Sequence, residues 1–230
     1  MAQDAPATFG KRLQRLDVER LRRKAKAAWW WPTYRYWVAD HALLRALIPN
    51  FYKVDDHLYR SNHPGHRRLK QARQLGVQSI LSLRGDPDTL PNRRERAACA
   101  ALGLELRFIG LRTVKLPQPE TLLELLALFR EMPKPMLVHC KSGADRTGLA
   151  VTLYRHVIMG EPLSVARQSL HWSYGHLSFG RAGVVHRVLD AYAQAHDRSG
   201  VSFEQWVRDS YDPVALASAG KAPQASSKDR

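Results

Sequence analysis

The feature that most constrains this chain is a ten-residue stretch that lies between an apolar run and a helical pattern. The run Met136-Leu137-Val138 comes first, and residues 139–148 then read His-Cys-Lys-Ser-Gly-Ala-Asp-Arg-Thr-Gly. Apolar residues recur at helical spacing from Leu149 onward. This order predicts a buried strand, a tight loop and a helix. In that geometry, backbone N–H groups converge on an anion at the N-terminus of the helix.

The loop pairs a cysteine, Cys140, with an arginine six residues later, Arg146. A helix N-terminus and a nearby cation lower the pKa of a thiol from about 8.5 toward values at which the thiolate predominates at neutral pH. The planar guanidinium of arginine can bind two oxygens of one phosphoryl group. One loop can therefore make a nucleophile and hold the phosphate that it attacks. The alternative is a buried cysteine beside a helix cap, with Arg146 on the surface.

These residues resemble the motif of the cysteine-dependent protein tyrosine and dual-specificity phosphatases, His-Cys-x5-Arg-Ser/Thr. Every required position of that motif is present. Residues 59–62 (Tyr-Arg-Ser-Asn) and 82–85 (Ser-Leu-Arg-Gly) also resemble the front half of compact bacterial members. The resemblance covers about residues 51–195. It implies hydrolysis of phosphomonoesters through a phosphocysteine intermediate, with no metal and no other cofactor.

The resemblance also implies a role for each residue of the motif. Cys140 is the expected nucleophile, and Arg146 binds the phosphoryl oxygens and follows them into the transition state. Thr147 donates its hydroxyl to the Cys140 sulfur, and His139 has the secondary role of orienting the loop from behind. Backbone N–H groups complete the phosphate cradle, and they belong to Lys141, Ser142, Gly143, Ala144, Asp145 and Arg146.

The general acid is left open by the sequence. Related enzymes usually take an Asp from a loop upstream of the catalytic strand, but no Asp occurs between Asp88 and Asp145, and that region carries Arg112 and Lys115. One alternative is Asp145 itself, as in a bacterial subgroup of these phosphatases. The other is Asp86 or Asp88, which follow a predicted strand. A third interpretation makes Asp145 only a hydrogen-bond acceptor that holds the loop.

Strands alternate with helices along most of the chain, which predicts an α/β fold with a central, mainly parallel sheet and helices on both faces. The resemblance implies the same fold. The strands are predicted over 52–54, 57–61, 77–83, 104–109 and 136–138. The helices are predicted over 69–75, 93–102, 120–131, 149–157, 163–170, 182–195 and 203–210.

Composition suggests three regions. Residues 1–50 form a basic, Trp-rich N-terminal extension, residues 51–212 the phosphatase domain, and residues 213–230 a tail predicted to be disordered because Ala, Ser, Lys and Gly dominate it. Only Cys99 and Cys140 occur, which favours a reducing compartment. The first sixteen residues lack the apolar region of a secretory signal, so we expect a cytoplasmic protein.

The net charge of +15 predicts an anionic partner. Residues 11–35 contribute +7 of this charge, and Trp29-Trp30-Trp31 follow the basic cluster directly. Cations beside aromatic rings suit an anionic membrane surface, so residues 11–48 predict a peripheral association with the inner membrane face. The alternative is an arm that packs on the domain through its aromatic residues. We find no nucleic-acid-binding motif and expect no nucleic-acid partner.

Several substrate classes remain open at this stage. A phosphorylated protein, with phosphotyrosine first, is the leading one. A phosphoinositide, phospholipid headgroup or inositol phosphate is favoured by the basic charge and by Lys141 next to the nucleophile. A catalytically silent phosphate-binding module is the remote alternative. Residues 171–176 (His-Trp-Ser-Tyr-Gly-His) are open to lining the pocket or binding a metal, with structural packing as the default interpretation. Cys99 is interpreted as a small hydrophobic residue rather than a disulfide partner of Cys140.

Overall fold

Five short strands form one sheet in the order β1-β2-β5-β3-β4. A computed structural model describes residues 50–112, 115–176 and 183–219 of the chain. Only β1 runs antiparallel to its neighbour, and the other pairings are parallel. The strands are β1 (Tyr52–Lys53), β2 (Leu58–Ser61), β3 (Ser79–Ser82), β4 (Glu105–Phe108) and β5 (Met136–His139).

Helices connect and cover the parallel strands. They are α1 (His66–Gln74), α2 (Leu90–Leu102), α3 (Pro119–Glu131), α4 (Asp145–Leu153), α5 (Leu163–Ala166), α6 (Gly183–Ser199), α7 (Phe203–Asp209) and α8 (Pro213–Ala219). A π-helical turn over Tyr154–Ile158 extends α4, and 3₁₀ turns lie at Arg167–Ser169 and Trp172–Tyr174. The parallel order brings the carboxyl ends of β2, β5 and β3 to one edge, where the Cys140 loop begins.

The pleat of the central strand β5 divides the buried residues between the two faces of the sheet. Met136 and Val138 belong to the large core, which also contains α3, α4, α6 and α7. Leu137 belongs to a smaller core with residues of α1 and α2. Side chains alternate between faces along a strand, so His139 points to the smaller core while Cys140, just past the strand end, belongs to the larger one. The catalytic loop is therefore anchored from both sides of the sheet.

Cys99 lies in the smaller core and is 1% exposed. Burial raises the pKa of its thiol to about 12, and the nearby Glu95 carboxylate adds to the effect. A thiol in this environment stays protonated and unreactive at neutral pH. The interpretation of Cys99 as a small hydrophobic residue agrees with this environment, and Cys140, the other free cysteine, belongs to the larger core.

The predicted α/β class is confirmed, and each strand and helix predicted between residues 52 and 210 has a counterpart in the structure. The boundaries shift by a few residues for local reasons. Helix α2 begins at Leu90 rather than at Arg93, because Thr89 caps it through the Asn92 N–H and Pro91 fits its first turn. It ends at Gly103, whose φ of 61° is the left-handed conformation expected of a helix stop.

The predicted disordered tail does not begin at Pro213. Helix α8 covers Pro213–Ala219, and the Asp212 carboxylate accepts hydrogen bonds from the N–H groups of Val214 and Ala215. Leu216 and Ala217 pack on the large core. The Ala-rich composition that suggested disorder also favours a helix once apolar contacts are available.

The predictions for the N-terminal extension and for residues 220–230 lie outside the described residues. Within the described ranges, helices are too short or too polar to cross a bilayer.

Candidate active site

The loop after β5 forms a tight turn around the Cys140 sulfur. Cys140 is 2% exposed, and the Gly143 N–H donates to its Sγ at 3.2 Å. Thr147, in the first turn of the helix that follows, is fully buried. Helix α4 begins at Asp145, so the loop leads directly into a helix N-terminus. The sequence-predicted order of strand, loop and helix is present.

The surroundings of Cys140 favour its thiolate. Burial by itself would raise the pKa of this thiol. The Arg146 guanidinium, the Thr147 hydroxyl and the backbone N–H groups of Thr147 and Gly143 outweigh that effect and bring the pKa below its ordinary value of 9.0. Charge attraction and hydrogen bonds to the ionised form thus exceed the cost of desolvation. These surroundings favour the thiolate, which is the form of cysteine that acts as a nucleophile.

Arg146 lies beside the sulfur, in the first turn of α4. It is half-buried, and its Nη1 donates to the Leu83 carbonyl at 3.3 Å, at the end of β3. This contact fixes the side chain at the carboxyl edge of the sheet. A guanidinium held in this way next to the thiol can bind two oxygens of one anion.

A second arginine, Arg60 of β2, supports the loop from within the protein. It is 2% exposed, and it donates to the Gly143 carbonyl and to the Ser169 carbonyl, both at 2.9 Å. Its guanidinium also lies over the Tyr174 ring, 3.8 Å from the centroid. Burial lowers the pKa of Arg60 to about 10, which still leaves the group protonated at neutral pH. A buried cation therefore joins the catalytic loop to the segment over residues 169–174.

Asn50 and Gly143 show how closely the loop packs on the start of the domain. The Asn50 amide donates to the Ser142 carbonyl at 3.2 Å and to the Tyr174 carbonyl at 2.8 Å. Gly143 has a φ of +78°, and a Cβ there would lie 2.8 Å from both Asn50 Nδ2 and the Asn62 backbone nitrogen. Only glycine satisfies both the backbone conformation and the close approach.

His139 connects the loop to a buried carboxylate on α2. Its Nδ1 lies 3.1 Å from the Cys140 carbonyl oxygen, and its Nε2 lies 2.6 Å from Glu95 Oε1. Both residues are buried, and the His63 ring meets the His139 ring edge-on, with the centroids 5.4 Å apart. The carboxylate fixes the orientation of the imidazole, and the imidazole fixes the loop. This geometry agrees with the orienting role predicted for His139.

The same three residues have donor atoms that could surround a metal ion. His63, Glu95 and His139 are buried, and their ligand atoms all lie within 4.8 Å of one another. His139 Nε2 and Glu95 Oε1 lie 2.6 Å apart and contact each other directly, so these two side chains pair without an ion between them. We interpret the cluster as the support of the loop.

The three candidate acids have different surroundings. Asp86 is paired with Arg96, and Asp88 contacts Arg93 at 3.3 Å, so both carboxylates turn to arginines of α2. Asp145 lies within the loop, next to Arg146, and its side chain is 36% exposed. Its Oδ1 lies 2.7 Å from His176 Nδ1. Asp145 is therefore the candidate that is both accessible and held beside the nucleophile.

The remaining predicted residues of the loop differ in exposure. Ser142 is exposed, Lys141 is half-buried and Ala144 is buried, while Lys115 and Arg112, on the segment that precedes α3, are exposed. Lys141 follows the nucleophile directly, and its positive charge suits an anionic substrate.

Sequence reasoning missed four contributors: Asn50, Arg60, Glu95 and His176. For residues 171–176 the packing interpretation was too limited, because Tyr174 lies under Arg60 and His176 contacts Asp145. The resemblance to compact phosphatases over residues 59–62 was the one sequence signal that pointed to Arg60.

Comparison with known proteins agrees with this site. The profile of the family described as "DSP-PTPase phosphatase fused to NAD+ Kinase" matches residues 45–178. The chain belongs to this family. The predicted membership of the cysteine-dependent dual-specificity and tyrosine phosphatase superfamily is thereby confirmed, and the matched range contains every residue of the motif.

Two curated relatives of this DSP-PTPase chain are the dual specificity protein phosphatase TpbA of Pseudomonas aeruginosa and the inositol diphosphatase DSP5 of Arabidopsis thaliana. TpbA is 28% identical over 153 residues, which cover 66% of this chain and 65% of TpbA. DSP5 is 31% identical over 111 residues, covering 47% of this chain and 54% of DSP5. The crystal structure of a TpbA variant in complex with pTyr has a TM-score of 0.50 at 24% identity, covering 73% of this chain and 90% of that one, so it shares the fold.

Proposed function

We propose that this protein hydrolyses phosphomonoesters through a phosphocysteine intermediate, as a protein tyrosine or dual-specificity-type phosphatase. The observation that supports it most directly is the buried Cys140 thiol, whose pKa is lowered by Arg146, by the Thr147 hydroxyl and by loop N–H groups despite its burial. A thiol whose ionised form is stabilised in this way is suited to attack an electrophile held in the same loop.

In the first step, the Cys140 thiolate attacks the phosphorus atom. An S–P bond forms, the P–O bond to the leaving group breaks, and Asp145 gives its proton to the departing oxygen. Arg146 holds two of the equatorial phosphoryl oxygens while charge develops on them, and the loop N–H groups supply further donors.

In the second step, a water attacks the phosphocysteine. Asp145, now ionised, takes a proton from this water, the S–P bond breaks, and inorganic phosphate leaves. The Thr147 hydroxyl stabilises the thiolate that is released. Asp145 ends the cycle protonated, so the two half-reactions balance without any other proton donor.

The first test is turnover of p-nitrophenyl phosphate by the unmodified chain and by Cys140→Ser. We expect Cys140→Ser to lose activity and still bind vanadate, because serine fits the loop but its hydroxyl does not ionise at neutral pH. Mass spectrometry of the acid-quenched wild-type enzyme should find one phosphoryl group on Cys140. Retained activity in Cys140→Ser would refute the mechanism, and phosphate binding without turnover in the wild type would identify a silent binding module.

The second test examines Asp145 as the acid. Asp145→Asn should slow hydrolysis of aryl phosphates with poor leaving groups more than hydrolysis of those with good ones, since a proton matters most to a basic alkoxide. Equal slowing across the series would make Asp145 a structural acceptor. Asp86→Asn and Asp88→Asn are the matched controls and should leave the leaving-group dependence unchanged.

A second candidate substrate class is a phosphorylated inositol or lipid headgroup. Five relatives of this chain are named inositol diphosphatases, among them DSP5. Lys141 follows the nucleophile, Lys115 and Arg112 are exposed, and a ligand with several phosphates would use cations of this kind. Rates on phosphotyrosine peptides and on inositol phosphates, measured side by side, decide between the two substrate classes. Faster turnover of the inositol phosphates, together with the loss of this advantage in Lys115→Gln, would favour the inositol or lipid headgroup class.

We also propose that residues 11–48 bind an anionic membrane surface. Their excess positive charge and the cluster Trp29-Trp30-Trp31 suit an anionic lipid surface, where each Lys or Arg contributes about 1 kcal/mol. The full chain should bind vesicles that contain anionic lipid, and less so as salt increases. A chain that begins at Pro49 should lose this binding and keep activity on p-nitrophenyl phosphate. Failure of the full chain to bind at low salt would leave a packing role for the arm and would weaken the case for a lipid substrate.

A further inference from the structure

A chain of hydrogen bonds runs from Asp145 away from the catalytic loop. His176 Nδ1 lies 2.7 Å from Asp145 Oδ1, and His176 Nε2 lies 2.9 Å from His186 Nε2. His176 is 3% exposed, whereas His186, on α6, is half-buried. Three titratable groups are thus linked in series from the loop to the protein surface. The two-step mechanism above uses only the first of them.

The atoms that meet in this chain determine where the protons are. Two ring nitrogens 2.9 Å apart need one N–H donor and one acceptor. An ionised Asp145 only accepts, so His176 must donate through Nδ1–H. When His176 is neutral, its Nε2 is then an acceptor, and His186 supplies the Nε2–H of the 2.9 Å contact. The contact with Asp145 thus sets the tautomer of His176, and a His186 that donates from Nε2 matches that tautomer.

The surroundings of His186 favour its neutral form. Burial is the main cause that lowers its pKa, and the His176 ring and the Arg167 guanidinium lower it further, against the opposing effect of Asp190 and Asp145. Arg167 is itself held by Asp190 at 2.7 Å, so its charge is partly compensated. A neutral His186 can carry its one proton on Nε2 and donate it to His176 Nε2.

We propose that His176 and His186 are positioning residues for the general acid. His176 Nδ1–H holds Asp145 Oδ1, which leaves Oδ2 free to carry the proton that goes to the leaving-group oxygen and later comes back from water. His186 holds His176 in the tautomer that can do this. The inference rests on the proposed function, because it gives the histidines a role only through Asp145.

The test uses pairs of substitutions that keep or remove one donor. In His176→Asn, the amide Nδ2 can replace Nδ1–H, whereas His176→Leu has no donor. In His186→Gln, the amide Nε2 can replace Nε2–H, whereas His186→Leu has none. His196→Leu is the control, because His196 lies exposed on the same helix and bonds only to the nearby Val201 carbonyl. Vanadate binding and denaturant unfolding report whether each variant keeps its loop and its fold.

We expect His176→Leu to lose about tenfold in kcat on phenyl phosphate, a part of the roughly 10²- to 10⁴-fold that general acid catalysis supplies. The loss on p-nitrophenyl phosphate should be small, and His176→Asn should recover most of the activity. His186→Leu and His186→Gln should show the same contrast with smaller amplitude. The double variant Asp145→Asn with His176→Leu should be no slower than Asp145→Asn alone, because a residue that acts through another adds nothing once that residue is removed.

Three results would overturn the proposal. The first is a His176→Leu loss that is equal across the leaving-group series, the second is a loss that multiplies with that of Asp145→Asn, and the third is an Asn variant as slow as the Leu variant. Should His176→Leu not fold, the His186 pair decides by the same criteria. A leaving-group effect in Asp145→Asn without coupling to His176 refutes this inference alone. If Asp145→Asn shows no leaving-group effect, Asp145 is not the general acid and this inference fails with it. Activity in Cys140→Ser refutes the proposed function itself.

Discussion

Replacing Arg60 by methionine should weaken the fold and the nucleophile together. Methionine fills much of the same space but has no charge and no donor. The substitution removes two hydrogen bonds of 2.9 Å, to Gly143 O and Ser169 O, and the contact with the Tyr174 ring. It does not remove any group that we place in contact with substrate, so its effects measure how the loop is held.

The magnitude follows from these contacts. A hydrogen bond from a charged group contributes about 1.5–3 kcal/mol, and a buried cation–π contact contributes about 2 kcal/mol. Against this stands the cost of burying the guanidinium, which shows in the lowering of its pKa from 12.5 to about 10. We therefore expect a net loss of about 3 kcal/mol in the free energy of unfolding.

Urea unfolding measures the stability, and the pH dependence of iodoacetamide alkylation measures the pKa of Cys140. The Arg60 cation and the Cys140 thiolate attract each other, so the pKa of Cys140 should rise in the variant. The rise should be smaller than in Arg146→Met, since Arg146 is the larger influence on this thiol. Arg73→Met, at an exposed position of α1, removes the same charge without these contacts and is the control. If Arg60→Met unfolds like Arg73→Met and its alkylation profile is unchanged, the supporting role of Arg60 is wrong.

Two further predictions concern the loop itself. Gly143→Ala should lose about 100-fold in activity, since a displacement of about 1 Å in a catalytic loop can cost that much. Gly160→Ala, at a similar φ of +76° with no atom within 4 Å of its Cβ, should keep activity, and equal activities of the two variants would show that the close approach at Gly143 does not hold the loop. Thr147→Val should raise the pKa of Cys140, which the alkylation profile measures. The lowered pKa of Cys140 in the folded state also means that its ionisation stabilises the protein fully above the unfolded value near 9 and that this contribution is lost as the pH falls through the folded value. Urea unfolding of Cys140→Ser should lack this dependence, and an unchanged slope would assign it to other groups.

The catalytic loop was predictable because its information is local. Strand, nucleophile, glycine, arginine and helix follow one another within about fifteen residues, and their order alone indicates an anion-binding turn. The alternation of strands and helices likewise predicts a parallel sheet. The strands β2 to β5 are only four residues long, and apolar residues beyond the ends of β3 and β4 made these two predicted strands too long.

The supports of the loop were not predictable in the same way. Arg60 meets Gly143 across 83 positions of sequence, and Asn50 meets Tyr174 across 124. Glu95 and Arg93 are both charged residues of α2, but Glu95 is buried whereas Arg93 is exposed. No periodicity in the sequence indicates that the side chain of Glu95 points inward. His176 follows an irregular turn that carries no helix or strand pattern. Such contacts depend on how the elements pack, which composition and spacing do not contain.

The Asn50 side chain has a consequence for where this catalytic unit starts. Sequence reasoning placed the start of the domain at residue 51, just before β1. Asn50 nevertheless donates to two carbonyls, one in the catalytic loop and one in the turn over Trp172–Tyr174, and so connects segments that lie far apart along the chain. Proteolysis or truncation on its C-terminal side would leave the sheet and its cores whole but would remove both hydrogen bonds. The catalytic unit therefore needs a residue upstream of its first strand, and a version trimmed to the sheet would keep its fold with a less well held loop.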